Sequence, residues 1–314
     1  MFRKLFKVVA GLAITGLIVF VGLLVTDGKE EIALQKPSDT AMMSAERGEL
    51  LLGLTGCVNC HTDVKNDGAV LAGGRALETP FGTFFAPNIS SDKANGIGNW
   101  SEEDFVRALR HGRRPDGANY FPAFPYAAYT RMTDGDMLAI RTAIMARPAE
   151  AEPNKPHDIG FPFNQRWTMR FWKLLHFDAG TFENDTAQSA AWNRGAYISE
   201  ALAHCGECHT PRWPSGGLKR GAWLSGTANG PEGEMAPNLT QDEDTGLGVW
   251  TDPDLTFLLT DGLKIDGDVV GSVMYEVVEH GTSKLPKDDV AAIVEYLKSL
   301  PPVANPDAPA AQGF

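Results

Sequence analysis

The pentapeptide Cys57-Val58-Asn59-Cys60-His61 decides how this chain is read, and it recurs 148 positions later as Cys205-Gly206-Glu207-Cys208-His209. Each is a CxxCH, the attachment signature of c-type haem. Two thiols two residues apart can meet the two vinyl groups of one porphyrin as thioethers, and the adjoining imidazole then faces the iron. Together the two copies use all four cysteines. Two other uses compete: a thioredoxin-like disulfide, which needs no histidine, and a zinc ion held by both motifs together. The surroundings of each copy argue for two covalently bound haem c groups instead.

Those surroundings repeat. From Ala45 the run ERGELLLGLTGCVNCH reads as a helix delivering the first motif, with Leu50, Leu51 and Leu54 at helical spacing. Asn193-Arg194-Gly195-Ala196-Tyr197 begins the matching helix before the second. Ala86-Pro87-Asn88-Ile89-Ser90 returns as Ala236-Pro237-Asn238-Leu239-Thr240, and Gly98-Asn99-Trp100-Ser101 as Gly248-Val249-Trp250-Thr251. Ser101 followed by Glu102, Glu103 and Asp104 predicts an N-cap with an acidic first turn, leading a helix to His111-Gly112, for which Asp261-Gly262 stands in the second copy. Thr133 to Asp136 and Lys284 to Asp289 each open a terminal helix, Met137 to Ala146 and Val290 to Leu300. A constant offset between landmarks means two copies of one small helical haem domain.

The expected organisation is therefore an N-terminal membrane anchor (1–27), a spacer (28–41), a first haem domain (42–147), a linker and interface segment (148–185), a second haem domain (186–302) and a disordered tail (303–314). The anchor rests on Arg3, Lys4 and Lys7 ahead of the apolar run Val8 to Val25. Those eighteen residues would span roughly 27 Å as a helix, about the hydrocarbon thickness. No small-residue cleavage site follows, so a retained anchor is favoured over a removed signal peptide. Its positive end stays cytoplasmic, which places the haem domains on the periplasmic side of a bacterial inner membrane. The linker is proline-rich. Phe163 to Phe177 is dense in aromatic and basic residues, an interface segment more readily than an amphipathic helix lying on a membrane. With a formal charge of −12, nucleic acid and anionic surfaces are poor partners, whereas a basic docking face suits.

The ligand above each iron sets potential and reactivity. In the second copy Met274 lies in the loop ahead of the terminal helix and is the expected distal ligand, with His280 as competitor. The corresponding loop of the first copy, Tyr120 to Tyr126, holds no methionine and has Phe124, which cannot ligate iron. Met132, an open or water-bound position, and His111 remain as alternatives there.

With these landmarks the chain resembles a known group. A CxxCH near the start of a small helical domain, a distal methionine loop and a terminal helix ending YLKSLPP resemble the class I cytochrome c fold. The duplication is similar to the multi-haem cytochrome subunits of bacterial periplasmic dehydrogenases for alcohols and gluconate, and of some molybdenum hydroxylases. The resemblance covers residues 42 to 302. It implies an all-α protein, two tandem class I cytochrome c-like domains with an N-terminal transmembrane helix. It further implies that Cys57, Cys60, Cys205 and Cys208 form thioethers, that His61 and His209 are proximal ligands and that Met274 is the second distal ligand. Phe124 stands where that group usually has a ligand methionine, and many of its members carry three haems rather than two.

The function expected is electron transfer, from a periplasmic dehydrogenase or quinol-side donor to a downstream cytochrome or terminal oxidase, with no catalytic residue. A di-haem oxidoreductase acting on peroxide or a sulfur compound, or a gas sensor, requires the first haem to be open.

Overall fold

The computed structural model describes residues 32–311. Two crossed helix pairs organise it. Helix α1 (Ala45–Leu54) leads into the four-residue α2 (Cys57–Cys60), and the acidic-capped α3 (Glu102–His111), the short α4 (Tyr126–Tyr129) and α5 (Asp134–Ala146) follow. After an interface helix α6 (Met169–His176), the second half runs α7 (Ala190–Tyr197), α8 (Gly206–His209), α9 (Asp252–Asp261), α10 (Ser272–His280) and α11 (Lys287–Lys298). Helix α1 packs on α5, and α7 packs on α11.

The repeat is visible in how these pairs are fastened. Gly48 of α1 lets the backbone of Ala139 approach so closely that a Cβ would sit inside the carbonyl oxygen, and Gly195 does the same against Ala292. Beside each crossing lies an Arg–Asp pair. The Arg47 Nε donates to Asp136 Oδ1 at 2.8 Å, and Arg194 donates to both carboxylate oxygens of Asp289 at 2.8 and 2.7 Å. Helices α3 and α9 both start on a capping box, Ser101 with Asp104 and Thr251 with Asp254, and both stop at a left-handed glycine, Gly112 and Gly262. The caps and the stop glycines are local, so the sequence pattern predicts them directly; the glycine contacts and the Arg–Asp pairs are long-range.

One core cluster continues through both halves, from Leu51, Met132 and Ile140 to Ile198, Leu255 and Ile293. The Phe163 to Phe177 segment lies where the halves meet. Lys173 Nζ donates to the His111 carbonyl and to Asn119 Oδ1 in the first half, while Trp172 Nε1 donates to the Ser215 carbonyl in the second.

The described residues form a mostly helical, all-α fold that also carries one small sheet. Strands β1 (Ala76–Thr79), β2 (Gly82–Phe85) and β3 (Asp158–Ile159) form a small antiparallel sheet in the order β1-β2-β3. The third strand comes from the proline-rich linker, which is laid along the first half. There the Asn88 side-chain amide donates to the carbonyls of Glu150 and Glu152. Part of the expected tail is held to the second half. Asn305 donates to the carbonyls of Ser225 and Gly226, and Ala308 and Ala311 are buried. One expectation needs correction: neither the membrane anchor nor the inner-membrane location drawn from it has support in the described residues. No helix among the described residues is long and apolar enough to cross a membrane. The run that carried that expectation, Val8 to Val25, lies outside the described residues.

Candidate haem sites

Each CxxCH occupies a single helical turn entered through a left-handed residue, Gly56 (φ 68°) before α2 and His204 (φ 41°) before α8. The turn closes on itself. The His61 amide donates to the Cys57 carbonyl at 3.0 Å, and the His209 amide to the Cys205 carbonyl at 2.9 Å. One turn gathers two thiols and an imidazole without help from distant residues.

The imidazoles are oriented identically. His61 Nδ1 lies 2.7 Å from the Pro87 carbonyl oxygen, and His209 Nδ1 lies 2.8 Å from that of Pro237. A carbonyl can only accept, so Nδ1 carries the proton and Nε2 keeps its lone pair for a metal. Burial lowers the pKa of both imidazoles, opposed by these hydrogen bonds, which favours the neutral ligand form. The acceptor carbonyls are themselves placed by matching turns, in which Asn88 Oδ1 takes the Ser90 amide and Asn238 Oδ1 takes that of Thr240, both at 2.9 Å. In the sequence the Ala-Pro-Asn segments showed only as a repeat. The role of the proline carbonyl did not show there, because a backbone acceptor leaves no mark on residue type.

No disulfide joins the four cysteines. Burial pushes Cys57 and Cys205 up to about 11 and Cys60 and Cys208 up to about 12. A thioredoxin-like pair works by the reverse shift, toward the thiolate, so that alternative loses its chemistry. Nor are the motifs drawn together around zinc: among the described residues no group of three His, Cys, Asp or Glu is placed to hold a metal ion. The donor set fits haem c. Six buried side-chain donors lack a partner among the described residues, among them the indole N–H of Trp250 in the second half and the hydroxyl of Tyr126 in the first. Each is available to a polar group that the chain itself does not supply.

On the distal side, Met274 sits within helix α10 rather than in a loop, and it is half-buried. His280, at the end of the same helix, is exposed beside Glu279. In the first half Phe124 is packed among rings, with centroids 5.3 Å from Tyr120 and 5.6 Å from Tyr129. Met132 is fully buried in the shared core. His111 ends α3, where its carbonyl accepts from Lys173.

The approaches to the two motifs touch, which residue spacing does not reveal. The buried Thr55 carbonyl accepts from Tyr129 Oη at 2.5 Å, and His204 Nε2 lies 3.2 Å from the same oxygen. Thr55 Oγ1 is 3.2 Å from Cys57 Sγ. Tyr129→Phe is expected to cost about 1 kcal/mol, since His204 still satisfies the carbonyl; urea unfolding of the holoprotein measures it.

No family model matches the chain. Over 264 residues it is 40% identical to the diheme cytochrome c-type of Cereibacter sphaeroides, covering 82% of this chain and 86% of that one. The chain belongs to the di-haem c-type cytochromes. This di-haem cytochrome is also 36% identical over 305 residues to the fructose dehydrogenase cytochrome subunit of Gluconobacter japonicus, covering 96% of this chain and 61% of that subunit. It is 39% identical over 263 residues to the gluconate 2-dehydrogenase cytochrome c subunit of Pantoea cypripedii, covering 81% of this chain. It spans 59% of that subunit's length.

Proposed function

We propose that this di-haem cytochrome relays electrons from a partner dehydrogenase to a downstream cytochrome or oxidase, without itself transforming a substrate. The observation that carries the reading is the paired site: two CxxCH turns, each with its histidine Nδ1 tied to a proline carbonyl, meeting through Thr55, Tyr129 and His204. Cytochrome subunits of fructose, gluconate and alcohol dehydrogenases among its relatives supply the partner class.

Haem c, once bound, supplies a one-electron iron couple. The chain's task is to hold that group still. Cys57 and Cys60, and Cys205 and Cys208, fix it covalently. His61 and His209 present Nε2 in one orientation, and the buried surroundings keep the imidazoles neutral. Met274 is the proposed distal ligand of the second haem. For the first, Met132 is the proposed sulfur donor, with His111 and an open position as alternatives; Phe124 is the residue that makes an open position a distinct reading.

Met274→Ala is expected to abolish the thioether-to-iron charge-transfer band of the second haem and to make that haem bind carbon monoxide. A variant that keeps the band and stays closed to carbon monoxide removes Met274 from the site. Carbon monoxide binding to half the reduced haem of the unmodified protein marks the first haem as open and favours the oxidoreductase reading. The relay is tested by tagging the protein in its native host. A dehydrogenase should co-purify, and its substrate should reduce both haems; haems that stay oxidised with every co-purifying enzyme overturn the proposal.

A further inference from the structure

We infer that the first half of the chain positions the distal ligand of the second haem, with Arg75 as the positioning residue. This rests on the reading of Met274 as that ligand. Helix α10 belongs to the second half by sequence, yet it packs on α1 and α2 of the first. At its end the His280 carbonyl lies so close to Gly53 that any Cβ there would collide with it. Arg75 fixes the rest of the helix.

Its Nη1 donates to the Asn59 carbonyl, inside the first CxxCH, at 2.8 Å and to Glu276 Oε2 of α10 at 2.7 Å. Its Nη2 meets Glu232 Oε1 at 3.3 Å. Only 10% of the Arg75 side chain is exposed, against 26% for Glu276, so the pair is held largely away from solvent screening. Arg75 is itself rigidly placed. It follows Gly73 and Gly74, both at positive φ, whose amides donate to the His61 and Ala86 carbonyls at 2.8 Å. The start of α10 is tied to the same loop as Glu232, through Ser272 Oγ donating to Glu234 Oε1 at 2.8 Å.

Helical geometry turns this clamp into an aiming device. Residues two apart on a helix point to nearly opposite faces, whereas residues four apart share one. With Glu276 held toward the first half, Met274 is turned away from it. Val278, four residues on, shows where that face goes: it is buried, and its Cγ1 lies 3.9 Å from the Cβ position of Gly262 in the second half. Through its contact with Glu276, 201 positions away in sequence, Arg75 thus connects the first haem-binding turn to the orientation of Met274.

Arg75→Ala leaves Glu276 and Glu232 facing one another without their cation and lets α10 rotate. Arg75→Ala and the milder Glu276→Gln are each expected to reduce the thioether-to-iron band of the second haem to roughly half and to admit carbon monoxide there. Amide exchange over residues 272–280 should accelerate, with α5 unchanged. Arg75→Lys should recover part of the band, because it keeps a cation but not the forked contact. If Met274→Ala abolishes the band while Arg75→Ala and Glu276→Gln leave it at full intensity with unaltered exchange in α10, the ligand assignment stands and the positioning role falls. If Met274→Ala leaves the band intact, the ligand assignment fails, and the positioning role with it.

Discussion

Cys57→Ala/Cys60→Ala yields a protein carrying one covalent haem, and Cys205→Ala/Cys208→Ala yields its mirror image, because no other thiol exists to substitute. Haem staining after denaturing electrophoresis should fall by half in each, and intact mass should fall by one haem. The two variants are not spectroscopically equivalent. The first should retain the thioether band assigned to Met274, and the second should lose it. Either double variant retaining two covalent haems would contradict the assignment of the motifs.

The second large effect is on stability. Gly48→Ala and Gly195→Ala should each destabilise the fold by about 3 kcal/mol, although alanine favours an isolated helix by about 1 kcal/mol over glycine. The sign follows from what the methyl group meets. In both crossings it is a backbone carbonyl of the facing helix, Ala139 or Ala292, which cannot rotate away as a side chain can. Relief requires separating α1 from α5, or α7 from α11, which opens the core around Leu52 or Ile198. Gly221, with nothing near its Cβ position, is the control, and alanine there should be neutral. Denaturant midpoints of the three variants decide the matter. Equal midpoints at positions 48, 195 and 221 would show that the helix pairs are not packed through these glycines.

Much of the site was legible because its chemistry is local. Cys57, Cys60 and His61 lie within one turn, as do Cys205, Cys208 and His209, so their spacing alone specifies a shared group. The capping boxes at Ser101 and Thr251 and the stop signals at Gly112 and Gly262 are equally short-range. The repeated Ala-Pro-Asn segments marked the right loops, without disclosing that the carbonyls of Pro87 and Pro237 hold the histidines.

Other features were illegible for a common reason. Strand β3 pairs with β2 across more than seventy residues, as the register of Gly82 with Ile159 shows, and two strand residues inside a proline-rich linker carry no period. Asn305 holds the tail only through carbonyls some eighty positions away. The loop expected around Met274 became helix α10 because the first half provides a surface for it to pack against.

The sequence by itself thus determined that two CxxCH turns exist, each on a repeated helical frame, since the motif and the caps depend on neighbours within a few residues. Only the tertiary structure decided how the turns are oriented and coupled. The Pro87 and Pro237 carbonyls, the Thr55 oxygen shared by Tyr129 and His204, and the clamp of Arg75 on Glu276 are long-range contacts to backbone or to charge, and such contacts are fixed by packing rather than by spacing along the chain.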